Sequence, residues 1–179
     1  MHIEATERLR FEIMDANDAD LLFELDQDPA VMRFINGGKM TTLKEIKDVM
    51  LPRLESFTNK AKGWGLWKVT TIDADHFIGW VLVRPMAFFS DAPEYDNIEL
   101  GWRFKQSSWG KGYATEAAMQ IQRVMLKQLG VSALSATALE DNIGSINIMK
   151  KLGMSYVKTY VHEHDLLGEM NAVYYQRKA

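Results

Sequence analysis

The stretch Trp109-Gly110-Lys111-Gly112-Tyr113-Ala114-Thr115-Glu116-Ala117 stands between a β-rich run and a helical one. Ala114, Ala117, Ala118, Ile121, Val124 and Met125 fall on one face at helical spacing, so a helix opens here and runs to Leu129, where Gly130 stops it. Gly110 and Gly112 then lie just before or within its first turn. Glycine lets a bulky anion come close to the backbone. A first helical turn offers N–H groups with no partner inside the helix, at the positive end of its dipole. A pyrophosphate suits that place, with Lys111 adding charge at the rim. The same glycines also suit a plain tight turn from strand to helix. The spacing excludes a Walker loop, and the dinucleotide fingerprint would need a third glycine where Thr115 stands.

Working outward, residues 97–104 read as a strand, with Glu99 between Ile98 and Leu100 and Gly101 as a candidate bulge. Before it, residues 64–72 and 77–84 read as a hairpin turning at Asp73-Ala74-Asp75, and residues 88–96 as a loop. Residues 9–13 alternate as a half-buried strand does. Residues 15–26 read as a helix, broken by Asp28-Pro29 and followed by a short helical turn and a loop at Asn36-Gly37-Gly38. Thr41 or Thr42 caps a second helix carrying Ile46, Val49, Met50, Leu54 and Phe57, with a kink or break expected at Pro52. Downstream come a strand over 133–139 and a helix after Glu140-Asp141-Asn142 that ends at Leu152-Gly153. Residues 154–162 and 172–177 form a last antiparallel pair. This order gives an α/β sheet of mixed direction. Without repeats or linkers, residues 1–179 read as a single domain.

The formal net charge of −3 and 47% hydrophobic content describe a soluble globular chain, and no phosphate-tracking surface for nucleic acid. There are no cysteines, hence no disulfide, no thiolate nucleophile and no sulfur-rich zinc site. The charged N-terminus and the lack of a long apolar run imply no signal peptide, no membrane partner and a cytoplasmic protein.

A second motif lies further on: Asp141-Asn142-Ile143-Gly144-Ser145, then Lys151-Leu152-Gly153-Met154. Together with Gly112-x-Ala114 opening a helix after a strand, it resembles the GNAT N-acetyltransferases. Their pyrophosphate signature is [QR]-x-x-G-x-[GA], and WGKGYATEA is similar to the branch that acetylates ribosomal-protein N-termini. Thr6-Glu7-Arg8-Leu9-Arg10 and Asp28-Pro29 resemble the same branch, so the likeness runs from about residue 6 to the end. It implies a mostly antiparallel sheet of six or seven strands with flanking helices and a splayed central parallel pair. It implies acetyl-CoA as co-substrate and a primary amine as acceptor, either a protein N-terminus or a small molecule, by direct attack. The pyrophosphate would lie over Trp109, Gly110, Lys111, Gly112, Ala114 and Thr115. The pantetheine arm would lie along Trp102, Arg103 and Phe104, with Asn142 and Ser145 near its end. A monomer or homodimer is expected. The sequence departs from the pattern at Trp109, where Gln or Arg is usual, and at Met154, where Phe is usual. It departs also at Met149, where many relatives carry the Tyr that reprotonates the thiolate.

Acetyl transfer requires an amine to lose a proton and a departing thiolate to be stabilised. Glu99 is the candidate general base, and an exposed carboxylate or a structural ion pair is its alternative reading. The resemblance implies Ser145 as the acid near the thioester sulfur, with a small packing residue as the alternative, and Asn142 either caps its helix or bonds the cofactor arm. His162, Glu163 and His164 are candidates on the acceptor side, surface residues otherwise, with too few ligands for a metal. Phe88 and Phe89 are pocket candidates, and Trp80 reads as core. Met149 in place of Tyr leaves open a catalytically idle acyl-CoA-binding sensor.

Overall fold

The computed structural model describes residues 1–128, 130–164 and 168–179. The expected helix end at Leu129 lies outside the described residues, as does the side chain of His164. Seven strands, β1 (Leu9–Ile13), β2 (Gly65–Thr71), β3 (Phe77–Met86), β4 (Glu94–Phe104), β5 (Ala133–Leu139), β6 (Ser155–His164) and β7 (Gly168–Lys178), form one sheet. Its order is β1-β2-β3-β4-β5-β7-β6, antiparallel throughout except for the parallel pair β4–β5. The expected mixed, mostly antiparallel sheet is therefore present.

The parallel pair is short. It holds only Asn97↔Ala133, Ile98↔Leu134 and Glu99↔Ser135, although β4 continues to Phe104 and β5 to Leu139. Beyond Glu99 the sheet forks. A buried polar knot pins the fork closed on its near side. The Ser135 hydroxyl, fully buried, donates to Asn97 Oδ1 at 2.7 Å, and Asn97 Nδ2 donates to Tyr174 Oη at 3.1 Å. Gln176 Nε2 donates to both hydroxyls. Such a network costs too much if half satisfied, so it holds both strands in register at that point.

Helices cover both faces. On one, α5 (Tyr113–Gln128) and α6 (Ile143–Lys151) seal a core of Ile98, Leu100, Ile121, Met125, Leu134 and Met149. On the other lie α1 (Ala19–Leu25), α2 (Pro29–Asn36), α3 (Leu43–Glu45) and α4 (Leu51–Phe57), over Leu66, Phe77 and Trp80. The short turn expected after Asp28-Pro29 is an eight-residue helix: Asp28 caps it, Pro29 opens it, and Gly37 ends it at φ 77°. The kink or break expected at Pro52 takes the form of a π-helical turn, Ile46–Met50, running straight into α4. Proline lacks an N–H and its ring crowds the preceding turn, and a wider turn accommodates both. Strand β4 also begins three residues earlier than its sequence suggests, at Glu94.

Beneath α1–α4, Arg103 Nη1 meets the buried Asp26 Oδ1 at 2.5 Å, and the Thr41 hydroxyl donates to Asp26 Oδ2 at 2.9 Å. This pair ties α1 to β4 on the far side of the fork.

Candidate active site

Gly110 and Gly112 have φ of 73° and 80°, the left-handed region that favours glycine. A Cβ added to Gly110 would meet nothing within 4 Å, and one on Gly112 only Arg8 Nη2 at 3.6 Å. Conformation requires the glycines, and the space above them is open. The turn is held from below by the N-terminal segment. Arg8 Nη1 donates to the Lys111 carbonyl at 3.1 Å, and Arg8 Nε to Glu116 Oε2 at 2.7 Å. The Thr6 hydroxyl donates to Glu116 Oε1 at 2.6 Å, and the Arg8 guanidinium lies 4.5 Å from the Tyr113 ring centre. Burial pushes the Glu116 carboxyl up, but the Thr6 hydroxyl and the Arg8 guanidinium outweigh it and hold it below the usual range. Thr6 and Arg8 belong to the N-terminal stretch that carried part of the family likeness, yet their pairing with Glu116, 110 and 108 positions away, has no signal in the sequence. A groove of about 430 Å³ runs beside the helix start, lined by Gly112, Thr115, Met119, Arg123 and Lys151.

Strand β4 carries this turn to the fork. Lys105 N–H donates to the Ile78 carbonyl of β3 at 2.9 Å. Backbone direction alternates along a strand, so Arg103 and Gly101 also face β3, while Trp102 and Phe104 turn their N–H and C=O toward the open fork. Of these, the Phe104 carbonyl is already taken: Trp109 Nε1 donates to it at 2.8 Å. Trp109 thus contributes an indole that closes the turn onto β4. The Arg103 side chain, expected beside a cofactor arm, is committed to Asp26 on the opposite face, and its N–H and C=O point to β3, so Arg103 offers no polar group to β4's free edge.

Two side chains bridge the fork. Trp102 Nε1, from β4, donates to Ser145 Oγ, from α6, at 3.2 Å. Because that oxygen accepts from the indole, the serine's own proton is available to point elsewhere. Asn142 Oδ1 accepts from Ser145 N–H at 3.1 Å, the capping arrangement. Met149 is fully buried in the core. It is a packing residue one turn beyond Ser145.

Glu99 opens onto the other face. Arg84 Nε donates to its Oε2 at 2.7 Å, and both side chains are largely covered. Across the fork stands Tyr160, which the sequence reading did not single out. Burial raises the Tyr160 phenol above its ordinary value; a hydrogen bond with Thr137 opposes this and the Glu99 charge reinforces it, so it remains a donor. Phe88 and Phe89 pack edge-on against Phe57 beside this mouth, and Trp80 is core as expected. His162 and Glu163 are exposed on β6, and no metal-binding cluster exists among the described residues.

A seven-stranded sheet forked after a parallel pair, with a glycine turn at the mouth of the fork, agrees with sequence comparison: the family model for the acetyltransferase (GNAT) domain matches residues 8–155. The chain belongs to the GNAT acetyltransferases. It is 33% identical over 156 residues to the uncharacterised N-acetyltransferase YnaD of Bacillus subtilis, covering 86% of this chain and 82% of YnaD. It is 26% identical over 162 residues to the FsC-acetyl coenzyme A-N(2)-transacetylase of Aspergillus fumigatus, covering 89% of this chain and 68% of that protein. The solved structure of RimL, a ribosomal L7/L12 alpha-N-protein acetyltransferase in complex with coenzyme A, superposes with a TM-score of 0.78 at 11% identity, covering 99% of this chain and 98% of that one. As a GNAT N-acetyltransferase this enzyme uses acetyl-CoA. The site fits that co-substrate on two counts: open space over two left-handed glycines at a helix start, and an unpaired strand edge at Trp102. No helix among the described residues is long and apolar enough to cross a membrane.

Proposed function

We propose that this GNAT enzyme acetylates a primary amine, on a small molecule or a protein N-terminus, at the fork between β4 and β5. The turn from Trp109 to Thr115 receives the pyrophosphate on its N–H groups. The Trp102 edge pairs with the pantetheine amides like an added strand. The bound thioester supplies an activated acetyl group. Glu99 takes, through water, the proton that an ammonium must lose before it can attack. Its other carboxylate oxygen is held by Arg84, which fixes the side chain toward the mouth. Ser145 donates its hydroxyl to the sulfur as the carbon–sulfur bond breaks, and Asn142 holds the helix start that presents it.

The observation that carries this reading is the Trp102–Ser145 hydrogen bond across the fork, because it orients the serine proton away from the indole. The protein named RimL acts on an N-terminal amine and the FsC enzyme is named for N(2) transfer, which supports nitrogen as the acceptor atom. The test is a thiol-release screen with acetyl-CoA across amino acids, polyamines, aminoglycosides and N-terminal peptides. With the best acceptor, Glu99→Gln should lower turnover and flatten the acidic limb of the pH–rate profile. Acetyl-CoA affinity should stay unchanged. A binding-competent protein that acetylates none of these amines would instead be an acyl-CoA sensor.

A further inference from the structure

Beside Glu99 stands an arginine that the machinery above does not use. Arg53, on α4, lays its guanidinium 3.6 Å from the Phe89 ring centre. The Arg84 guanidinium lies 5.3 Å from the same ring and 5.6 Å from that of Phe57, so two cations share one aromatic wall. Arg84 is satisfied by Glu99. No ion pair to Arg53 exists among the described residues. Burial and the nearby Arg84 pull the Arg53 pKa down from its usual value while Glu99 opposes them, which places Arg53 within electrostatic reach of both. The group is two guanidiniums against one carboxylate, and Arg53 remains exposed to an incoming molecule. Phe88 extends the aromatic wall by packing edge-on against Phe89, with ring centres 5.1 Å apart.

We infer that the acceptor is an amino-carboxylate, a small molecule whose carboxylate is held by Arg53 while its amine is presented to Glu99. This rests on the reading of Glu99's side of the fork as the acceptor's. The charge pattern matches a zwitterion: a carboxylate for the ammonium and an unpaired guanidinium for the anion. A guanidinium offers two parallel N–H donors to a carboxylate, and Phe89 holds its plane in place. A polyamine would bring further positive charge to a cluster that already carries an excess of it.

The test measures kcat/KM for the L-amino acids, their carboxamides, spermidine and a peptide with acidic residues behind its N-terminus. An amino acid should exceed its carboxamide. The ratio between them should fall about 10- to 100-fold in Arg53→Gln, the loss expected for a hydrogen bond to a charged partner. Arg53→Lys should recover part of it, and acetyl-CoA affinity should be unchanged in both variants. Equal turnover of amino acid and carboxamide, an unaltered ratio in Arg53→Gln, or acetylation of spermidine or the peptide alone would overturn this inference and leave the amine acetyltransferase reading intact. If no amine were acetylated by protein that binds acetyl-CoA, both would fall together.

Discussion

Replacing Glu116 by Gln tests whether the clamp under the glycine turn governs acetyl-CoA binding. The carboxylate accepts from the Thr6 hydroxyl and from two nitrogens of Arg8, whose third nitrogen holds the Lys111 carbonyl. Glutamine keeps one acceptor oxygen but turns an amide N–H₂ toward a donor. Hydrogen bonds to charged groups contribute about 1.5–3 kcal/mol. The pair is open to water, with Arg8 44% and Glu116 21% exposed, so screening brings the expected loss down to about 1–2 kcal/mol. For a chain of this size that is a fall of roughly 2–8 °C in Tm. If about half of the loss reaches the turn, acetyl-CoA binding weakens by roughly 2- to 5-fold. Calorimetric titration and thermal melts measure the two quantities. The kcat should hold, because Glu99 and Ser145 are untouched. The pH dependence has a definite sign. The folded pKa of Glu116 lies below the ordinary value of a glutamate, so its stabilisation is fully present above that ordinary value and is lost as pH falls through the folded one. Wild type and Glu116→Gln should therefore converge in acid. A variant with unchanged acetyl-CoA affinity and Tm, or one losing kcat alone, would refute the reasoning.

Ser145→Ala should lower kcat by up to about 10²-fold with little change in the KM for acetyl-CoA; turnover at the wild-type rate would make Ser145 a packing residue. Gly112→Asp puts a negative charge and a strained φ of 80° where phosphates approach, so acetyl-CoA affinity should fall by roughly 100-fold or more, with circular dichroism showing the fold retained. Gly79→Ala should be a folding defect: its Cβ would lie 2.3 Å from the Arg103 carbonyl oxygen and 2.7 Å from Phe104 Cα, both backbone. A loss of about 2–4 kcal/mol is expected, and a melting temperature within about 2 °C of wild type would contradict it.

Elements with strong periodicity were legible in the chain. Strand β1 spans 9–13 as the alternation predicts, and the helix after the glycine turn carries its apolar face onto the sheet as its spacing predicts. Boundaries went astray where a local signal was ambiguous. Proline at 52 announces that a regular helix must be interrupted but not that a π turn absorbs the interruption, because that depends on what packs against the helix. Residues 94–96 read as loop because they are polar, yet β3 pairs with Glu94 across a bulge.

In the site, residue types and spacing reached as far as the chain's neighbours reach. Gly110, Gly112, Asn142 and Ser145 declare themselves because a turn, a cap and a helix start are made within a few residues. The partners that give the site its chemistry are distant: Arg8 meets Glu116 across 108 positions, Arg103 meets Asp26 across 77, and Trp102 meets Ser145 across 43. Hydrogen bonds form only where donor and acceptor come within about 3 Å, and over such separations that proximity is set by strand order and by the fork after Glu99. Arg103 is the clearest case. Its place on β4 follows from the local pattern, but the face it uses was decided by Asp26, buried under a helix that belongs to the other end of the chain.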